Sequence, residues 1–311
     1  MYSRIGSFLL VFQLACLWLL DDARATDGVL EINQACAIGP GCFNGDDPGL
    51  PVTITIPGSY RLTGNLGLNN VAGPPQVNLI NINNDDVSLD LNGFAIRCSN
   101  ALTGNPCGGG NSVAIFVQGE QVRIFDGIIF GFPTAGISGI NGENFHIENL
   151  IVSDIAGSGI TVGIRSRIED CTVNDTGGRG ISAGFDSLII KNTVRGAGDD
   201  GIWVGAYSLV RNNTSNGNTG NGFRVNGESI VASNIASNNQ RGFSLASAQD
   251  GGGLARDNTA NGNASFGMSM SSEWVFSGNV LQNNNSGNAN PQTSGGIQGA
   301  GNICGTTPGC P

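Results

Sequence analysis

The sequence predicts an all-β fold, a right-handed parallel β-helix whose coils are each about 21 residues long. Three observations predict it: a Gly-apolar-x-apolar unit that recurs along the chain, a column of asparagines in step with it, and a composition suited to turns. The 311 residues include 50 glycines, one histidine and one lysine, Lys191, with long asparagine-rich runs. Gly and Asn are poor helix residues and good turn residues, so the chain should be strand and turn throughout.

Residues 1–25 read as a secretory signal, with Arg4, the apolar core "FLLVFQLACLWLL" and the small-residue site Ala23-Arg24-Ala25. Cleavage would leave Thr26 first and send the protein out of the cell or into a periplasm. A lipid anchor at Cys16 is disfavoured because Gln13 stands where such sites favour an aliphatic residue. No later segment is apolar enough to span a membrane, so the mature chain is expected to have no membrane span and to be a monomer. The formal net charge of −10 excludes non-specific binding to nucleic acid or to anionic membranes, while a locally basic groove remains allowed.

Residues 26–311 should form one β-helix domain. Its coils over about 50–131, including "VTITIPGSYRLTGNL" and "LININNDDVSLDLNGFAI", are less regular; those over about 136–303 are regular; 304–311 close the end. Cys36/Cys42, Cys98/Cys107 and Cys304/Cys310 are close pairs in Gly-, Pro- and Asn-rich sequence, the pattern of disulfides that staple loops and chain ends in an oxidising compartment. Cys171 is left over. With one histidine and no CxxC, no metal site is expected from this set.

Glycines open the recurring unit at 136 (GISGI), 159 (GITV), 180 (GISA), 201 (GIWV), 222 (GFRV), 242 (GFSL) and 267 (GMSM), separated by 23, 21, 21, 21, 20 and 25 residues. A second apolar run follows each, as in "SRIEDCTV" and "SLIIKNTV". After it comes a column of Leu150, Cys171, Asn192, Asn213, Asn234, Asn258 and Asn279. The five asparagines suggest an inward ladder of stacked amides, and place Cys171 inward as a small apolar residue rather than a reactive thiol. Leucine-rich repeats have a similar period but need a leucine signature that is missing here.

The succession "PGSYRLTGNL", "VSLDLNGFAI" and Gly-apolar coils resembles the secreted pectin-lyase-like superfamily of right-handed parallel β-helix proteins, over about residues 50–303. The resemblance implies a protein that binds or processes extracellular polysaccharide. The same scaffold also serves structural and adhesive surface proteins, a non-catalytic alternative. A uronate lyase, an epimerase or a glycoside hydrolase is a second. Fold alone does not choose among them.

Polygalacturonases in this superfamily use an Asp pair with an upstream Asp, a Gly-His-Gly and an Arg-x-Lys. Asp199-Asp200 matches the pair and Asn174-Asp175 loosely matches the upstream element, but Gly220-Asn221-Gly222 replaces Gly-His-Gly and Arg-x-Lys is missing. The pair is therefore read mainly as a solvent-facing turn, with Arg179 expected close enough to Asp200 to offset its charge. Lyases commonly use Ca²⁺, which makes it the one cofactor the resemblance allows, and no motif fixes its ligands.

Two further constellations follow from stacking. Aligning Ile124, Ile147 and Ile168 as inward residues puts Arg123, His146 and Arg167 in one outward column, with Phe125, Glu148 and Glu169 in the next. This is either an acid/base histidine between anchors for an anionic sugar or, the preferred reading, a surface ion-pair ladder. Trp203 and Arg224 share an outward position, and the turn column before them holds Arg179, Asp200, Asn221 and Arg241. An exposed tryptophan there can stack on a sugar; packed under a loop it would be inert.

Overall fold

The computed structural model describes residues 28–68, 78–98, 110–246, 251–308 and 310. The expected signal segment and Cys107 lie outside them. Consecutive coils pair in parallel through two sheets, one of 11 strands and one of 22. The larger sheet bends round a corner, so each regular coil crosses three faces. In the coil of Trp203 these are Ile202–Val204 on the first face, Leu209–Arg211 on the second and Thr214–Asn216 on the third. Register is kept from coil to coil: Ile181, Ile202 and Phe223 align on the first face, Leu188, Leu209 and Ile230 on the second, and Thr193, Thr214 and Ile235 on the third.

Alternation decides what each strand buries. The central residue of each second-face strand points inward, and Ile168, Ile189, Val210, Val231 and Ala255 are fully buried. On the first face the flanking residues turn in, stacking Phe223 on Phe243 with ring centroids 4.9 Å apart.

Each corner is turned by one residue in the left-handed region. The corner between second and third faces uses Asn149, Asp170, Lys191, Asn212, Ser233 and Asp257, with φ from 50° to 58°. Asn and Asp dominate because they tolerate this conformation best among non-glycine residues. The next residue points inward, and here the expected ladder forms. The Asn192 N–H and Nδ2 both donate to Asn213 Oδ1, at 2.8 and 3.0 Å, and Asn192 Nδ2 also donates to Ile168 O at 2.9 Å. Asn213, Asn234, Asn258 and Asn279 repeat the pattern, all buried. Cys171 heads the column, its N–H donating to Asn192 Oδ1 at 3.0 Å.

The other two corners carry ladders that the sequence reading passed over. Between third and first faces, Asn218, Asn239, Asn263 and Asn284 link in the same way and end on Gln292. Between first and second faces, the N–H groups of Ser166, Ser187 and Ser208 donate to the hydroxyls of Ser187, Ser208 and Ser229. The asparagine column of the first ladder also continues one step further, to Asn302. Each ladder thus pairs buried polar side chains along the rod, while the serine hydroxyls donate in turn to carbonyls of their own coil.

The recurring glycine has a steric cause. A Cβ on Gly180 would lie 2.7 Å from Gly201 O, and one on Gly201 would lie 2.9 Å from Gly222 O and 2.5 Å from Asn218 Nδ2. The backbone of the next coil, together with the inward side chains Val194 and Ser215, occupies the space a side chain would need.

A short helix, α1 (Gln34–Ala37), stands at the N-terminal end, with Asn33 Oδ1 accepting from the Ala35 and Cys36 N–H groups. Cys36–Cys42 and Cys304–Cys310 are disulfides, at the two ends of the rod. Cys98 is buried, and its expected partner is the undescribed Cys107. No helix of the described residues is long and apolar enough to cross a membrane.

Candidate ligand surface

The second face carries the histidine cluster in the expected register, with His146 between Arg123 and Arg167 and Glu148 between Phe125 and Glu169. His146 Nε2 lies 2.9 Å from Glu169 Oε1 and 3.3 Å from Glu148 Oε2. Arg167 grips Glu169 through Nε at 2.5 Å and Nη2 at 2.6 Å, while Arg123 pairs with Glu148 through Nε at 2.7 Å and covers the Phe125 ring. The Arg167 hydrogen bond, with that of His146, holds the Glu169 carboxyl down at about 2 and raises Arg167 itself.

Ligand atoms of His146, Glu148 and Glu169 fall within 4.8 Å of one another, close enough to share a cation. The chemistry fits poorly. Two guanidiniums already balance the two carboxylates, so a dication would bring uncompensated charge, and Ca²⁺ takes about six to eight oxygen ligands where this cluster offers two carboxylates and a nitrogen. The geometry is that of an ion-pair ladder. Cys171, beneath it, is buried and unpaired, with burial pushing its thiol up to about 12.

The first face departs from expectation at the Asp pair. Asp199 is exposed, but Asp200 is only 2% exposed and is not a solvent-facing turn residue. Its Oδ1 accepts from the Asn221 N–H at 2.9 Å and from Asn221 Nδ2 at 2.6 Å, the same cross-coil link that the corner ladders use. Arg179 reaches Asp199 Oδ2 at 3.4 Å rather than Asp200, because adjacent residues point to opposite sides and only Asp199 faces out. Asp200 Oδ2 instead lies 3.8 Å from Arg224 Nη1.

Around this carboxylate the remaining column members assemble. Asn221 and Arg241 are register partners, as are Trp203 and Arg224. Asp200 Oδ2, Asn221 Oδ1 and Arg241 Nε are buried without a hydrogen-bond partner. Trp203 is half-buried, with the Arg179 guanidinium 4.8 Å from its ring. The sequence reading missed the Asp200–Arg224 link and the exposed Phe185 and Tyr207 at the corner that follows the first face. Their only signal was large aromatic residues at turn positions.

A family model for the right-handed β-helix region matches residues 182–302. The chain folds as a right-handed parallel β-helix. Among solved structures, this β-helix is similar to the periplasmic alginate epimerase AlgG, at 16% identity and TM-score 0.58, over 75% of this chain and 61% of that one. It is also similar to an exopolygalacturonase from Thermotoga maritima, at 11% identity and TM-score 0.56, over 83% and 82% of the two chains. A third, the Dettilon tailspike protein, aligns at 13% identity and TM-score 0.52, over 88% of this chain and 57% of that one. The β-helix therefore spans about three fifths of the length of the epimerase. No curated protein matches it by sequence. At these identities the likeness is one of fold.

Proposed function

We propose that the first face binds an anionic polysaccharide outside the cytoplasm, with Trp203 as the stacking platform and Arg179, Arg224 and Arg241 as partners for its carboxylates. The observation that carries this reading is Arg224, half-exposed beside Trp203 and held from beneath by the buried Asp200 carboxylate. Three arginines against Asp199 and Asp200 leave the patch at +1 on a chain of −10. A guanidinium suits a carboxylate because its planar fork donates two parallel hydrogen bonds. The disulfides support export, and the epimerase and polygalacturonase relatives support a glycan partner.

Calorimetric titration against uronate and neutral polysaccharides tests the proposal. Uronate chains should bind, more weakly in high salt, and Trp203→Ala should cost about 1–3 kcal/mol if a sugar stacks as other flat ligands do. Arg224→Ala and Asp200→Asn should both weaken binding, the second by releasing Arg224. No binding across the panel would leave a structural or adhesive surface protein. Turnover is the second reading, favoured by the unpartnered Asp200 Oδ2. Unsaturated ends would mark a lyase, reducing ends without them a hydrolase, and NMR-detected inversion an epimerase; the loss of any of these in Asp200→Asn with binding intact would make Asp200 catalytic.

A further inference from the structure

The second face carries an outward column that the ligand surface does not use. Leu188, Leu209, Ile230, Leu254, Val275 and Ile297 are register partners in succession. Stacking on one another half-buries the leucines, but Ile230, Val275 and Ile297 remain 43%, 39% and 56% exposed. The outward column of the first face is mixed, Ser182, Trp203, Arg224 and Ser244, and that of the third face interrupts its aliphatic residues with threonine, as Thr193, Thr214, Ile235, Thr259, Val280 and Ile303. Ile235 and Ile303 on the third face are also exposed, but only the second face carries an unbroken aliphatic ridge, the kind of exposed apolar surface that marks a contact.

Charge flanks the ridge asymmetrically. On the side of the first face lie exposed Asp186, Glu228 and Glu273; on the side of the third lie exposed Lys191, Arg211 and Arg256. Lys191 and Arg256 are partly offset by Asp170 and Asp257, whereas Arg211 has no ion pair among the described residues.

We propose that this ridge is the interface with a second copy of the chain, the two rods lying parallel about a two-fold axis along the solenoid. A two-fold axis along the rod reverses left and right, so the acidic flank of one copy lies over the basic flank of the other and Glu228 meets the partner copy's Arg211 and Arg256. A two-fold axis across the rod would set acid on acid and base on base. An isologous contact must match itself, and only the parallel arrangement does. Ridge length and strand width, at about 4.8 Å per coil and about 10 Å for three-residue strands, give roughly 240 Å² per copy. The total of about 500 Å² lies well below the ~1,000 Å² of a stable interface, so the dimer is weak and forms only at high concentration.

Sedimentation velocity on the full chain, carried to high concentration, tests this. The sedimentation coefficient should rise with concentration, and Ile230→Glu should weaken association by about tenfold or more. Glu228→Arg and Arg211→Glu should each weaken it, and the two together should restore it. A monomer at every concentration, an unchanged constant in Ile230→Glu, or stronger association in Glu228→Arg alone would each overturn the proposal. These side chains are exposed, and far-UV dichroism of each variant verifies that it folds.

Discussion

Replacing Asn213 by leucine removes one rung of the first ladder and leaves its neighbours in place. Two buried donors, the Asn192 N–H at 2.8 Å and one Asn192 Nδ2 hydrogen at 3.0 Å, lose their shared acceptor, and Ile189 O loses the donor that reaches it at 2.8 Å. Each stranded buried group costs about 1–3 kcal/mol. Burying the leucine side chain returns about 1.5–3 kcal/mol, so with three groups stranded the net loss should be about 2–6 kcal/mol. Urea denaturation followed by far-UV dichroism measures it. Hydrogen exchange locates it: the Asn192 amide should lose protection, while that of Asn258, bonded to Asn279 Oδ1 at 2.9 Å, should keep it. An unchanged midpoint with unchanged exchange at Asn192 would refute the claim that these amides support one another.

Gly201→Ala should destabilise more than an exposed glycine change, since the new methyl group would press on Gly222 O and Asn218 Nδ2; a melting temperature within error of the parent would contradict the steric argument. Mass spectrometry of the unreduced protein should show Cys304 joined to Cys310, and the double serine variant should lose roughly 2 kcal/mol; free thiols at both positions would dispose of the staple. Glu169 sits at about 2 in the fold against an ordinary 4.5, so the stability it adds is complete above pH 4.5 and is lost as pH falls toward 2. Glu169→Gln should therefore melt below the parent at neutral pH and converge with it in acid, and parallel curves would show that the Arg167 and His146 contacts contribute nothing.

The repeat was legible because a coil of fixed length forces glycine, apolar and amide positions into step, and any one column calibrates the rest. Asn192 through Asn279 could be read this way. The second ladder has similar spacing but hides in turns where neighbouring asparagines compete: Asn238 takes the left-handed corner and Asn239 points inward, and composition does not say which. Asn302 was missed because the recurring Gly-apolar units end at Gly267, so no second column calibrates the step that follows Asn279. At the candidate site the same one-residue alternation decided the error. Two adjacent aspartates between glycines look equivalent in sequence, yet one faces water and pairs with Arg179, and the other is buried under Arg224. The His146 register was readable because inward isoleucines fix it on three successive coils.

The asparagine chains run one way only. Every rung takes its side-chain oxygen acceptor from the coil that follows, so a rod cut after any regular coil would leave a backbone N–H and one amide hydrogen with nothing to bond. Two terminators close this open series. Asn302 offers its oxygen to Asn279 and spends its own amide on Phe276 O and Gly299 O, and Gln292 doubles back across eight residues to serve Asn284. Between such fixed ends, rod length is a free variable. Duplication of one 21-residue unit would present the same oxygen upstream and the same donors downstream, extending the molecule by about 4.8 Å without altering either neighbour.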